Sequence, residues 1–130
     1  MMKYPKMILF DYGHTLLCEP GWDPVKGNAE LLKYAVKNPN YCTIEDVKKG
    51  VEKIFGGHID GIRKMGYDIC GQVANRVLYE SLGIEFSLTP LEMETVFWNA
   101  ASIGAVMPGT DKMLGYLKKN GIRSGVISNL

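Results

Sequence analysis

The stretch MILFDYGHTLL, Met7 to Leu17, decides how this chain is read. Met7-Ile8-Leu9-Phe10 is a continuous apolar run, not an alternating one, which is the pattern of a strand covered on both faces in a parallel sheet. Pro5 is acceptable at the start of such a strand. The run passes directly into Asp11 and then into Tyr12-Gly13-His14-Thr15, a turn with a titratable ring inside it. In an open parallel sheet ligands bind beyond the carboxyl ends of the strands, so a carboxylate at that point is a candidate for chemistry as well as a turn residue.

A partner strand is expected at the far end of the chain. Residues 122–128, IRSGVIS, are short, partly β-branched and preceded by Gly121, as strands are. Strands over 5–11 and 122–128 are expected side by side and parallel, with Asp11 and Ser128 near the same end. Between them the pattern is helical. Asn28 can cap a helix carrying Leu31, Leu32, Ala35 and Val36, which Asn38-Pro39-Asn40 stops. Thr43 opens a second helix with Asp46 in its first turn and Val47, Val51, Ile54 and Phe55 on one face, and Gly56-Gly57 ends or kinks it. A third is expected over 71–82, burying Val73, Val77 and Leu78, with Gly83 as its stop. The fourth opens on Thr89-Pro90-Leu91-Glu92, a capping box with proline at the first position, and carries Met93, Val96, Phe97 and Ala100. The fifth is capped by Thr110, faces Met113, Tyr116 and Leu117 inward, and ends at Gly121.

Composition narrows the classes of function. At 130 residues, 46% of them hydrophobic, the chain fits one modest globular domain. Fifteen Lys and Arg against fourteen Asp and Glu give a formal net charge of +1, and no basic block exceeds a pair, so no nucleic-acid partner is indicated. The three cysteines, Cys18, Cys42 and Cys70, form neither a disulfide framework nor a zinc spacing. The apolar run before Asp11 is too short for a signal-peptide core or a membrane span. A soluble, cytoplasmic protein with no membrane partner is expected.

ILFDYGHTLL resembles the first motif of the haloacid dehalogenase (HAD) superfamily, a hydrophobic strand followed by Asp-x-Asp-x-Thr. PGTDKMLGYLKKNGIRSGVISN, residues 108–129, resembles the region of its second motif, with a Pro-Gly lead-in and a strand ending in Ser-Asn. The two occur in the family's order, separated by a helical insertion of about the size the family uses as a cap. The resemblance implies an α/β fold: a Rossmann-like parallel sheet core, formed by residues 1–17 and 106–130, with an inserted helical cap over 18–105.

The same resemblance implies a hydrolase, a phosphatase acting on a small phosphorylated metabolite with Mg²⁺. Asp11 takes the place of the nucleophile, and a carboxylate can attack phosphorus to give an aspartyl-phosphate that water later opens. Ser128 and the Asn129 backbone would hydrogen-bond the phosphoryl oxygens. Taken alone, each is an ordinary turn feature; it is their occurrence together that carries the resemblance. Tyr12 and Trp22 are candidates for lining a substrate cavity, with packing as the plainer reading.

The chain departs from the motif at Gly13, where the family has the Asp that protonates the leaving group and then activates water. That position also offers its backbone carbonyl to Mg²⁺ in the family, so Asp11 and Gly13 remain the candidate metal contacts. His14 stands where the motif usually has glycine. A histidine side chain is the type that can exchange protons near neutral pH, and here it either substitutes for the lost acid or merely occupies the turn. The chain also stops before the family's third-motif Lys and fourth-motif acidic pair, so a truncated core, without Mg²⁺-dependent phosphatase activity of its own and prone to self-association, is expected. Two alternatives remain open: a non-catalytic phosphate-binding or interaction protein, and a dehalogenase- or phosphonatase-like hydrolase, branches that also lack the acid at the position of Gly13.

Overall fold

The computed structural model describes residues 5–128. In chain order the elements are β1 (Met7–Phe10), β2 (Leu17–Cys18), α1 (Pro24–Leu32), β3 (Ala35–Lys37), α2 (Ile44–Lys53), a π-helical segment (Ile54–Ile59), α3 (Asp60–Lys64), α4 (Gly71–Leu82), β4 (Glu85–Phe86), α5 (Pro90–Ala101), β5 (Ala105–Val106), α6 (Thr110–Lys119) and β6 (Arg123–Val126). The chain is mixed α/β. It divides into two compact units, Met1–Pro20 with Ile103–Leu130, and Gly21–Ser102.

The second unit is helical and built around Leu31, Val47, Ile54, Ile59, Ala74, Leu78, Tyr79 and Ile84, all buried in one cluster. Its first helix starts earlier than the sequence suggests. Asp23, not Asn28, is the cap: its carboxylate accepts from the N–H groups of Val25 and Lys26 at 3.0 and 3.2 Å, and Pro24 takes the first helical position, where its missing N–H costs nothing. Asn28 is instead inside α1, buried, and accepts the Tyr79 hydroxyl at 2.6 Å. The helix ends at Leu32. Ala35 and Val36, expected to continue it, belong to β3, which pairs antiparallel with β4.

Packing is closest between α1 and α5. A Cβ on Gly27 would lie 2.6 Å from the Phe97 ring and 3.0 Å from its carbonyl oxygen, so only glycine lets the helices approach this far. The expected capping box at Thr89 forms, and Thr43 forms a second with Asp46. The Asp46 carboxylate accepts from the Thr43 N–H and hydroxyl at 2.9 and 2.8 Å; that of Glu92 does the same with Thr89, both at 2.8 Å, and the Glu92 N–H returns to the Thr89 hydroxyl. Gly83 ends α4 with φ +73, the left-handed stop that glycine adopts without a Cβ penalty.

Two expectations about this unit are corrected. Gly56-Gly57 does not end α2, which stops at Lys53; the glycines fall inside a π-helical segment that continues into α3, with Ile54 and Ile59, five residues apart, both buried. Side-chain-free residues accommodate the wider turn. Val73 and Val77 are exposed, at 40% and 45%. The buried face of α4 is Ala74, Leu78 and Tyr79, because the Tyr79 ring packs edge-on against Phe86 and its hydroxyl reaches Asn28.

In the first unit β1 and β6 pair in parallel, Met7 opposite Arg123 through Phe10 opposite Val126. This is the pairing expected from the two ends of the chain, although the strands are shorter than 5–11 and 122–128. The expectation that β1 is covered on both faces is not met: Met7 and Leu9 are 47% and 53% exposed. Their side chains lie over Gly125, where a Cβ would stand 3.1 Å from each. β2 pairs antiparallel with β5. Leu16, Leu117 and Ile122 are buried in this unit, while Tyr116, expected to face inward, is exposed. No helix among the described residues is long and apolar enough to cross a membrane.

Candidate functional site

Parallel pairing of β1 with β6 sets the position of the candidate residues. The Ile127 N–H donates to the Phe10 carbonyl at 2.9 Å, one step past the last strand pair. Asp11 therefore follows β1, and Ser128 follows β6, at the same end of the sheet. Each lies just beyond its strand, not at the last strand position, and both are exposed. Asn129 lies outside the described residues.

Asp11 Oδ1 accepts the N–H of Tyr12 at 2.7 Å. Among the described residues Oδ2 has no protein partner. A carboxylate held by one oxygen and open at the other is oriented yet still nucleophilic, since its free lone pairs face solvent.

The loop after Asp11 is organised around one carbonyl. Tyr12 O accepts from the N–H groups of Leu16 and Leu17 at 3.0 and 3.2 Å and, at 3.4 Å, from that of Thr15. His14 N–H donates to Leu17 O at 2.7 Å. Closing so tight a loop forces His14 to φ +55, a left-handed conformation that suits glycine better than a residue with a Cβ. Gly13, by contrast, is outside the left-handed region, and a Cβ added there meets nothing within 4 Å. The residue at the position of the missing acid is thus unconstrained, and the strain sits on its neighbour.

The His14 imidazole points into solvent: its side chain is 82% exposed, and Nε2 lies 3.5 Å from Glu19 Oε2. No hydrogen bond or ion pair joins it to Asp11 among the described residues. Tyr12 is half-buried beside the loop. Trp22 belongs to the other unit and stacks on Trp98, with ring centroids 4.8 Å apart, and edge-on to Phe97 at 5.6 Å.

Sequence reading overlooked the residues that anchor the loop. Leu16 is buried, and its carbonyl accepts the Met107 N–H at 2.9 Å and the Thr110 hydroxyl at 3.4 Å. Thr110 is not the helix cap; Gly109 holds that position, and Thr110 is buried with its hydroxyl committed to Leu16. The motif MPGT could have signalled either role, because a Thr next to a helix start caps or reaches back with equal ease. Glu19, the partner of His14, carries no spacing signal.

For Mg²⁺ the fit is incomplete. Asp11 and the Gly13 carbonyl offer oxygen, but no group of three or more His, Cys, Asp or Glu that could hold a metal occurs among the described residues, and Mg²⁺ takes six ligands with waters filling only part of the shell. These residues do not make a complete Mg²⁺ site.

Comparison with family models, curated proteins and solved structures finds no match to this chain.

Proposed function

We propose that the chain is a phosphoryl-transfer protein of HAD type in which Asp11 accepts a phosphoryl group from a small phosphorylated molecule. The observation that supports this reading is the parallel β1–β6 pair, after whose strands Asp11 and Ser128, distant in sequence, follow at the same end of the sheet. Asp11 Oδ2 attacks phosphorus; the bond from phosphorus to the leaving oxygen breaks, and that oxygen departs with the electron pair. Ser128 donates to the phosphoryl oxygens, where charge is concentrated. Water then attacks the phosphorus of the aspartyl-phosphate, releasing inorganic phosphate and regenerating the carboxylate.

Gly13 determines which donors work. With no acid to protonate the leaving oxygen, an alkoxide must leave unaided, whereas the carboxylate released from an acyl phosphate needs no proton. A general acid is worth roughly a hundredfold or more, so acyl phosphates should react and alkyl phosphates should not. His14, directed into solvent, is not assigned the missing role.

The test compares phosphate release from acetyl phosphate and from glycerol phosphate by the wild type, Asp11→Asn and Gly13→Asp, each with and without Mg²⁺. Acetyl phosphate should be the better donor. Gly13→Asp, for which the backbone has room, should raise glycerol phosphate hydrolysis about a hundredfold. Asp11→Asn should abolish both reactions without lowering the melting temperature. Undiminished turnover in Asp11→Asn would remove Asp11 from the nucleophile role. Phosphate binding without reaction would favour the non-catalytic phosphate-binding reading, and absence of both would overturn the assignment of this site to phosphate chemistry.

A further inference from the structure

The helical unit contains a groove of about 450 Å³ between α4, β4 and the start of α5. We propose that it binds a small amine: an apolar, aromatic-sized body with one cationic head. This does not rest on the assignment of Asp11, which lies in the other unit.

The volume falls within the roughly 300–1,000 Å³ of small-molecule sites. The floor is apolar, with Leu31, Tyr79, Ile84, Phe86 and Met93 among its residues. Tyr79 presents its ring and not its polar end, because its hydroxyl is committed to Asn28 at 2.6 Å. Burial keeps the phenol neutral, pushing its pKa well above the usual value. The floor thus offers apolar surface and no charge.

The rim selects the head group. Arg76 pairs with Glu80 at 3.7 Å, and Glu85 with Lys37 at 2.6 Å. Glu94 is the carboxylate left over. It is half-buried and accepts only the Gln72 side-chain amide, at 3.3 Å, with no cation beside it among the described residues. A partly desolvated carboxylate at the edge of an apolar groove attracts an ammonium, with which it forms a charge-assisted hydrogen bond. A carboxylate ligand would instead meet the charge of Glu94, which no cation beside it offsets among the described residues.

Three probes of one shape separate body from head: tryptamine, its neutral alcohol tryptophol, and indole-3-acetate. Titrated into the full chain and followed by amide chemical shifts, tryptamine should bind saturably, with shifts confined to α4, β4 and α5. Affinity should fall from tryptamine to tryptophol to indole-3-acetate. Glu94→Gln, which retains the Gln72 neighbour, should weaken tryptamine about fivefold, as for loss of a partly exposed ion pair, and leave tryptophol unchanged. The ligand series on wild type stands even where a variant melts early. Non-saturable tryptamine binding, equal affinity for the three probes, tighter binding of indole-3-acetate through Arg76, or a Glu94→Gln chain that binds tryptamine as well as wild type would each overturn the proposal.

Discussion

The two units differ in how they use apolar side chains. In the helical unit Leu31, Val47, Leu78 and their neighbours form one buried cluster, with Leu31 and Leu78 at 2% and 1% exposure. In the sheet-bearing unit the strand side chains Met7, Leu9 and Val126 are about half exposed, and among the described residues burial is confined to Leu16, Leu117 and Ile122 with Thr110. A continuous apolar run establishes that a strand forms; it does not establish that anything covers it. The helical unit carries its stability in packing. The other unit holds its geometry through backbone hydrogen bonds, the β1–β6 ladder and the loop centred on Tyr12 O.

The largest effect that tests this contrast comes from paired truncations. Leu78→Ala should cost about 2–5 kcal/mol, the transfer of a buried leucine plus the cavity it leaves. Leu9→Ala should stay within about 0.5 kcal/mol, as for an exposed site. Urea melts of the two variants measure both, and equal costs would erase the distinction between the units.

Next come the helix caps. Thr89→Ala should cost about 1 kcal/mol at neutral pH. The N–H and hydroxyl of Thr89 hold the Glu92 carboxyl below its ordinary pKa, as those of Thr43, with Lys49 nearby, do for Asp46. A lowered folded value means stability that is complete above the ordinary carboxylate range and lost as pH falls through the folded value. Melting temperatures across this acid range should show the Thr89→Ala penalty shrinking as Glu92 protonates; a penalty constant with pH would mean that the carboxylate contributes nothing to the cap.

A smaller and opposite effect belongs to the loop. His14→Gly should raise stability by up to about 1 kcal/mol by relieving φ +55, offset in part by the greater freedom of glycine in the unfolded chain. Destabilisation would show that the contact with Glu19 outweighs the backbone strain.

The parallel strand pair is legible in sequence because β1 is an apolar run entering a turn and β6 a short, partly β-branched run after Gly121, and Pro90 with the Thr89–Glu92 capping box is legible because its chemistry is local. The remainder depends on contacts distant in sequence. β2, β3, β4 and β5 are two or three residues long, too short to show a period. Asn28 looked like a cap because its attachment to Tyr79, 51 residues away, leaves no local sign. Val73 and Val77 looked buried because the rotation of α4 is set by Tyr79 and Phe86. At the site, the sequence placed Asp11 and Ser128 at one end of the sheet. It did not show that His14 carries the left-handed backbone or that Thr110 anchors Leu16.

The most direct measurement of the central assignment is chemical. The chain is incubated with acetyl phosphate, quenched, treated with hydroxylamine, which cleaves acyl phosphates, and its peptides are weighed by mass spectrometry. The account predicts a hydroxylamine-sensitive phosphoryl group on Asp11, absent in Asp11→Asn. A chain that remains unmodified, or one labelled at another residue while Asp11 stays free, would contradict it.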